Sequence, residues 1–228
     1  MYGHSDTQAP RGRRAAAGQR GSDRGPDVEQ AILAATAALL AEVPLRELSV
    51  AQIIRGAGVS RATFYFYFGS KSAVLAALVK QAIDEIYEVT RQTRERTGSM
   101  PPSVALPARI EASAEVWDAH RPVLRAMVEN WHTYPELKTV WLQMIGGLAE
   151  SIASEIEHER AAGRAPAGAD AHALGSMLAW TTERCLYVLG LGLPDPLANP
   201  AGTIEILAQV WASAIYGDQA GPHEAAAA

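Results

Sequence analysis

The chain has 228 residues, room for one large domain or a small and a medium one, and it is 48% hydrophobic and 20% charged, as an ordinary globular protein is. Its single cysteine, Cys185, excludes an internal disulfide and a cysteine-based zinc cluster and fits a reducing cytoplasm. The net charge of −5 is uneven: residues 1–71 sum to +3 and the remainder to −8, so an anionic partner is expected at the N-terminal part only.

Residues 1–26 are rich in Gly, Arg, Ala and Ser with few large apolar side chains, so they are expected to form a disordered basic arm. Arg13 and Arg14 ahead of "AILAATAALLA" loosely imitate an export signal. Asp23, Asp27 and Glu29 interrupt it, and Glu42 follows directly, so export is set aside. The apolar segment "ALGSMLAWTTERCLYVLGLGL" carries Glu183 and Arg184 at its centre, which makes a membrane span costly. A cytoplasmic protein is expected.

From Asp27 the pattern is helical, with Val28, Ile32, Ala35 and Leu39 recurring at three and four residues until Pro44. Ser49, with Gln52 three residues on, has capping-box spacing for a second helix that Gly56 and Gly58 end. Ser60 caps a short third helix, and Ser70 a fourth running from Lys71 to about Thr97. "TGSMPPS" then breaks the chain. Further helices are expected near 104–118, 122–133, 135–161, 170–190 and 201–216, and residues 218–228 as a disordered tail. The fold class is all-α: a head over 27–72 and a larger helical domain over 73–217.

"SRATFYFYFGSK" holds all three phenylalanines and, taken alone, alternates like a strand. A five-residue strand would have no partner elsewhere in this chain. As a helix, Phe64 and Phe68 lie one turn apart and face the core with Ile53, Ile54 and Val59. Two short helices around "GAGVS" have helix-turn-helix spacing, and the second would present Arg61, Thr63, Tyr65 and Tyr67, donor types suited to phosphates and base edges. Ser60 belongs to the same DNA-binding set. Lys71, behind its Ser70 cap, is expected to add a phosphate contact with the helix N-terminus. The arm residues Arg11, Arg13 and Arg14 are candidates for minor-groove or backbone contact. Plain core packing, or a solubilising tail, is the alternative for the tyrosines and the arm. The face of Phe66 is left open.

"GAGVSRA" followed by "TFYFYFGSKSAVL" resembles the signature of TetR/AcrR-type transcriptional regulators, through Thr63, Tyr65, Tyr67, Phe68, Lys71 and Leu75. Phe66 stands where His is common in that family, and Gly69 where Pro is frequent. The "RGRR" arm, "AILAAT", "ERAAG", "ER" at 183–184 and "IYG" are similar to the EthR branch of the family. The resemblance implies a homodimer, DNA binding by a three-helix head, and repression relieved when a small molecule enters the C-terminal domain.

All five tryptophans lie after residue 100. Leu137, Trp141, Met144, Leu148 and Ile152 form an apolar stripe on one helix, Ile110, Ala114 and Trp117 another, and Leu207, Trp211 and Ile215 a third. They read either as ordinary core or as the wall of a cavity for an apolar effector, with Met144 and Leu148 on it. Thr182 and Glu183 interrupt an apolar helix and are placed to orient a ligand, unless Glu183 pairs with an Arg or stays exposed. The resemblance puts Trp117, Trp141, Thr182, Glu183 and Trp211 on the effector side. Gly175, Ala179, Ala208 and Ala212 permit close helix approach, as in a four-helix dimer interface or within one chain.

The expected function is a ligand-responsive DNA-binding repressor with no cofactor; a regulator without an effector is the nearer alternative. A remote one is a di-iron carboxylate oxidoreductase built on Glu129/His132 and Glu155/His158. It is disfavoured because His158 points away from the apolar stripe and His132 sits at a helix end. No nucleophilic triad or Gly-rich phosphate loop stands out, and Cys185 reads as a structural thiol.

Overall fold

The computed structural model describes residues 25–193 and 196–217. Arg11, Arg13 and Arg14 lie outside the described residues, as do the rest of the expected arm and the tail. The described residues form helices and turns with no strand, in agreement with the all-α expectation.

The head consists of α1 (Gly25–Glu42), α2 (Val50–Ala57) and α3 (Arg61–Tyr67), packed on the start of α4 (Lys71–Thr97). Its boundaries follow local chemistry. The Ser49 side chain accepts from the Gln52 N–H and the Gln52 side chain accepts from the Ser49 N–H at 2.8 Å, completing the capping box. Gly58 ends α2 at φ 65°, a left-handed conformation that costs glycine nothing. Ser60 and Ser70 cap α3 and α4 through the N–H groups of Thr63 and Ala73, at 3.0 Å each. Ile32, Leu45, Leu48, Ile53, Phe64 and Leu75 make the centre of the head almost fully buried.

The body adds α5 (Pro102–Ala119), α6 (Arg121–Asn130), α7 (Pro135–Ala161), α8 (Ala171–Leu189) and α9 (Pro200–Tyr216). α5 begins two residues before the expected start, because proline in a first turn forfeits no helical hydrogen bond. A short 3-10 turn at Pro196–Ala198, unforeseen in "LPDPLANP", precedes α9. One core runs without interruption from the head through α4 to Leu124, Met127 and Trp141. A second joins Ile110, Ile156, Leu178 and Leu207 of α5, α7, α8 and α9. α4 thus belongs to both the head and the body.

Two sequence expectations about packing are corrected. The buried stripe of α7 is Leu137, Trp141, Ile145, Ala149, Ala153 and Ile156; Met144, Leu148 and Ile152 sit at its edge, half-buried. The reason is steric. A Cβ on Gly175 would lie 2.5 Å from the Ala149 carbonyl oxygen and 3.0 Å from the Ala153 nitrogen, so α7 and α8 meet backbone to backbone along their small residues. Gly175, Ala179, Ala208 and Ala212 are accordingly buried inside the chain rather than offered to a second copy. The apolar side chains that α8 and α9 do expose are Met177, Ile206 and Val210.

Candidate nucleic-acid interface and ligand cavity

α3 settles the face of every aromatic in the run. Phe64 is fully buried and Phe68 nearly so, their ring centroids 6.4 Å apart. Thr63 and Tyr67 are half-buried at the margins, while Arg61, Ala62, Tyr65 and Phe66 are exposed. The solvent strip therefore pairs Arg61 and Tyr65 with Ala62 and Phe66, rather than with Thr63 and Tyr67 as the sequence suggested. Five consecutive aromatics left the helix phase to be set by its neighbours. The Arg61 guanidinium stacks over the Tyr65 ring, 5.1 Å from its centroid. The Ser60 hydroxyl is spent on the α3 cap and on the Thr63 hydroxyl at 2.7 Å.

Lys71 departs from its expected role. Its ammonium donates to the carbonyls of Leu45 and Leu48 at 2.7 Å and of Arg46 at 3.3 Å. These carbonyls converge in the turn between α1 and α2 and form a ready cation site, so the amine clamps that turn to α4 rather than pointing at a phosphate. Burial lowers the pKa of the ammonium. The next residue, Ser72, donates to Glu136 at the start of α7 at 2.5 Å, which holds that carboxyl below the usual carboxylate range.

The body holds a partly open cavity of about 340 Å³. Trp117, Trp141, Leu148, Thr182, Glu183 and Trp211, all expected on it, are in the lining, and Met144 is not. The sequence reading missed the contribution of α4, which supplies Ile83, Ile86, Tyr87 and Thr90. Their spacing at three and four residues carries the signal, but the same pattern describes any buried helix. Trp131 and Trp180 pack on each other instead, 6.3 Å between centroids.

Apolar side chains dominate the cavity, but Thr90, Arg91, Arg94, Ser113 and Ser151 also border it, and its other polar groups are unequal. Trp211 donates its indole N–H to the Thr182 hydroxyl at 3.1 Å. Arg109 and Glu155 pair with each other at the wall. Trp141, fully buried, leaves its indole N–H without a hydrogen-bond acceptor among the described residues. Glu183 is 4% exposed, and neither carboxyl oxygen has a hydrogen bond there. The Arg184 guanidinium stands 3.7 Å away without donating to it. Burial pushes the Glu183 carboxyl up, and Arg184 opposes this only in part. Because Gly175 faces 149–153 and α7 and α8 are joined by a short loop, Glu183, two turns on, lies at the level of residues 141–145. The Trp141 N–H and the Glu183 carboxyl are thus both buried without a hydrogen bond among the described residues, at about the same level of the bundle.

No group of three or more metal-ligating side chains occurs among the described residues. Glu129 and Glu155 of the two Glu-x-x-His motifs are taken by Arg125 and Arg109. Burial, followed by the charge of Glu183, pushes the Cys185 thiol up. No single helix among the described residues is long and apolar enough to cross a membrane.

Residues 32–78 match the tetR family of bacterial regulatory proteins, and residues 106–217 match the C-terminal domain of the transcriptional regulator EthR. Over 214 residues the chain is 32% identical to the HTH-type transcriptional regulator EthR of Mycobacterium tuberculosis, covering 94% of this chain and 96% of that one. The EthR of Mycolicibacterium smegmatis is 34% identical over 215 residues, covering 93% and 95%. Among solved structures, a TetR-family regulator from Syntrophomonas wolfei superposes with a TM-score of 0.68 at 17% identity, over 82% of this chain and 94% of that one. FadR from Bacillus subtilis, solved in complex with stearoyl-CoA, does so at 0.64 and 15%, over 82% and 98%. The chain therefore belongs to the TetR family of bacterial transcriptional regulators, in its EthR branch.

Proposed function

We propose that the protein is a cytoplasmic, homodimeric repressor that leaves its operator when a small apolar molecule carrying one hydrogen-bonding group fills the body cavity. Residues 27–72 act as the DNA-binding head and 73–217 as the effector-binding and dimerisation domain. The observation that carries the reading is the cavity itself, walled by Trp117, Trp141 and Trp211 and lined on one side by the helix whose first residue clamps the head. Its volume lies in the range of small-molecule sites, and the polar side chains set among its largely apolar walls, Thr182 and the Arg109–Glu155 pair among them, would orient a polar group of the ligand.

Operator contact falls to the exposed strip of α3, led by Arg61 and Tyr65, with Ser60, Thr63 and Tyr67 at its margins and Arg11, Arg13 and Arg14 following the backbone or minor groove. Lys71 supports that surface from within. The exposed Met177 of α8 and Ile206 and Val210 of α9 support a dimer face on those two helices. Two heads would then enter successive major grooves of a near-palindromic site, roughly 34 Å apart.

The test is to select bound DNA from a random pool and titrate the complex with apolar compounds with and without a hydrogen-bonding group. Release of DNA in step with a change in tryptophan fluorescence is expected. Operator binding that no compound weakens, with fluorescence also unmoved, would favour the regulator without an effector. Sedimentation as a monomer at micromolar concentration would refute the dimer.

A further inference from the structure

The most exposed large apolar side chain among the described residues is Phe66, at 81%. It sits on the α3 face that looks away from the core. Arg61, Ala62, Tyr65 and Phe66 occupy that face at i, i+1, i+4 and i+5, which makes two adjacent columns one helical turn long. The first column is polar: Arg61 lies over the Tyr65 ring and its guanidinium approaches the Tyr65 hydroxyl at 3.4 Å. The second column, Ala62 and Phe66, has neither a donor nor an acceptor. Among the described residues the only ring packed on Phe66 is that of Tyr67, met edge to face at 5.1 Å.

An apolar column beside a cationic one is a specific shape to present to DNA. Of the groups that base pairs offer in the major groove, the C5-methyl of thymine is the one sizeable apolar group, cytosine presenting only a hydrogen at the same position. A phenyl ring brought against any other base edge would strip water from a polar group without replacing its hydrogen bond. Against a methyl it would bury two apolar surfaces together. Ala62, one turn back, has a side chain short enough to let the helix approach closely, and adds a methyl of its own.

We propose that the Ala62–Phe66 column is a thymine-reading site, in which the Phe66 ring packs on the C5-methyl of one thymine in each half of the operator. The site rests on the DNA-binding role of the head and adds a sequence preference to it: Arg61 and Tyr65 hold the helix on the duplex, and Phe66 selects a methylated pyrimidine.

The experiment uses the full chain and a duplex selected from a random pool. Each thymine is replaced in turn by deoxyuridine, which removes only the methyl. One position per half-site should weaken binding by about four-fold, the worth of one buried methyl group. Phe66→Ala should bind the unmodified duplex more weakly and be indifferent to uracil at that same position. Its thermal midpoint should match that of the wild type, because the ring supports no core. At that position cytosine should bind poorly and 5-methylcytosine should recover part of the loss, which separates the methyl from the other features of thymine. Uracil effects that persist unchanged in Phe66→Ala would overturn the proposal, as would the absence of any uracil effect while Arg61→Ala still weakens binding. An altered sedimentation coefficient for Phe66→Ala with DNA binding intact would overturn it in favour of a protein contact. Failure of the wild type to select any DNA would instead refute the reading of the head as a DNA-binding unit.

Discussion

Glu183→Gln tests whether the cavity carboxyl is neutral in the folded protein. The side chain is 4% exposed and neither oxygen is hydrogen-bonded among the described residues, so ionising it would bury a charge that the half-exposed Arg184, 3.7 Å away, offsets only in part. Burial therefore raises its pKa above the ordinary 4.5, which it keeps in the unfolded chain. Between those two values the folded state holds the extra proton, and stability must fall as pH rises. The limiting slope for one proton is about 1.4 kcal/mol per pH unit. Below the unfolded pKa the effect is absent, and above the folded pKa the full penalty persists. Glutamine has nearly the same shape and does not titrate, and all other groups cancel in the comparison. The variant should thus gain on the wild type as pH rises above 4.5, then level off. Urea unfolding followed by circular dichroism from about pH 4 to about pH 8, with equal m-values, measures this difference. A gap that stays constant across that range would refute the neutral buried acid.

Other substitutions separate roles that the sequence merged. Lys71→Met removes three hydrogen bonds from one ammonium and should cost about 2 kcal/mol of stability, read by denaturant midpoint. It should also weaken operator binding without changing the dependence of log K on log salt; a slope smaller by about 0.9 would return Lys71 to a phosphate. Arg61→Ala should show the opposite signature, an unchanged midpoint and a salt slope smaller by about 0.9 per head. Gly175→Val forces a side chain into the 2.5 Å gap before the Ala149 carbonyl and should lower stability by about 1–3 kcal/mol, seen as a drop in thermal midpoint. An unchanged midpoint would mean that α7 and α8 separate easily.

The fold was legible because its signals are local. Ser49 with Gln52, Gly58, Ser60 and Ser70 each satisfy a backbone group within three residues, so their chemistry can be recognised without knowing the tertiary structure. Most of the cavity could be anticipated because Thr182 and Glu183 break an apolar helix and because tryptophans are costly to leave exposed. The failures lie where phase or destination depends on a distant partner. Met144 packs against the core shared with the head instead of lining the cavity, although Leu148 on the same edge of α7 does line it. Of the small residues read as a dimer seam or as internal packing, Gly175 is taken up by the contact of α8 with α7, and Ala208 and Ala212 are buried on α9. Lys71 has a free ammonium in any sequence; only the fold brings three carbonyls of residues 45–48 to it.

Those corrections converge on α4. Lys71 holds the turn that leads into α2, Ser72 is bonded to the start of α7, and Ile83, Ile86, Tyr87 and Thr90 line the cavity. From Lys71 to Tyr87 a straight helix covers about 24 Å. A ligand pressing on the cavity end of such a rod displaces its head end, unless the rod bends or the clamp yields. The continuous core from Ile32 to Trp141 packs around the head half of that rod, while Ile83 and Ile86 border the cavity. The clamp carbonyls belong to the turn rather than to α3, so the head would follow α4 as one body, and in the proposed dimer the spacing between the two heads would change. Differential affinity for the two spacings then limits how far an effector shifts the operator equilibrium, and the operator disfavours the effector by the same factor. Weakening the Lys71 clamp should for this reason reduce that coupling as well as the stability of the head.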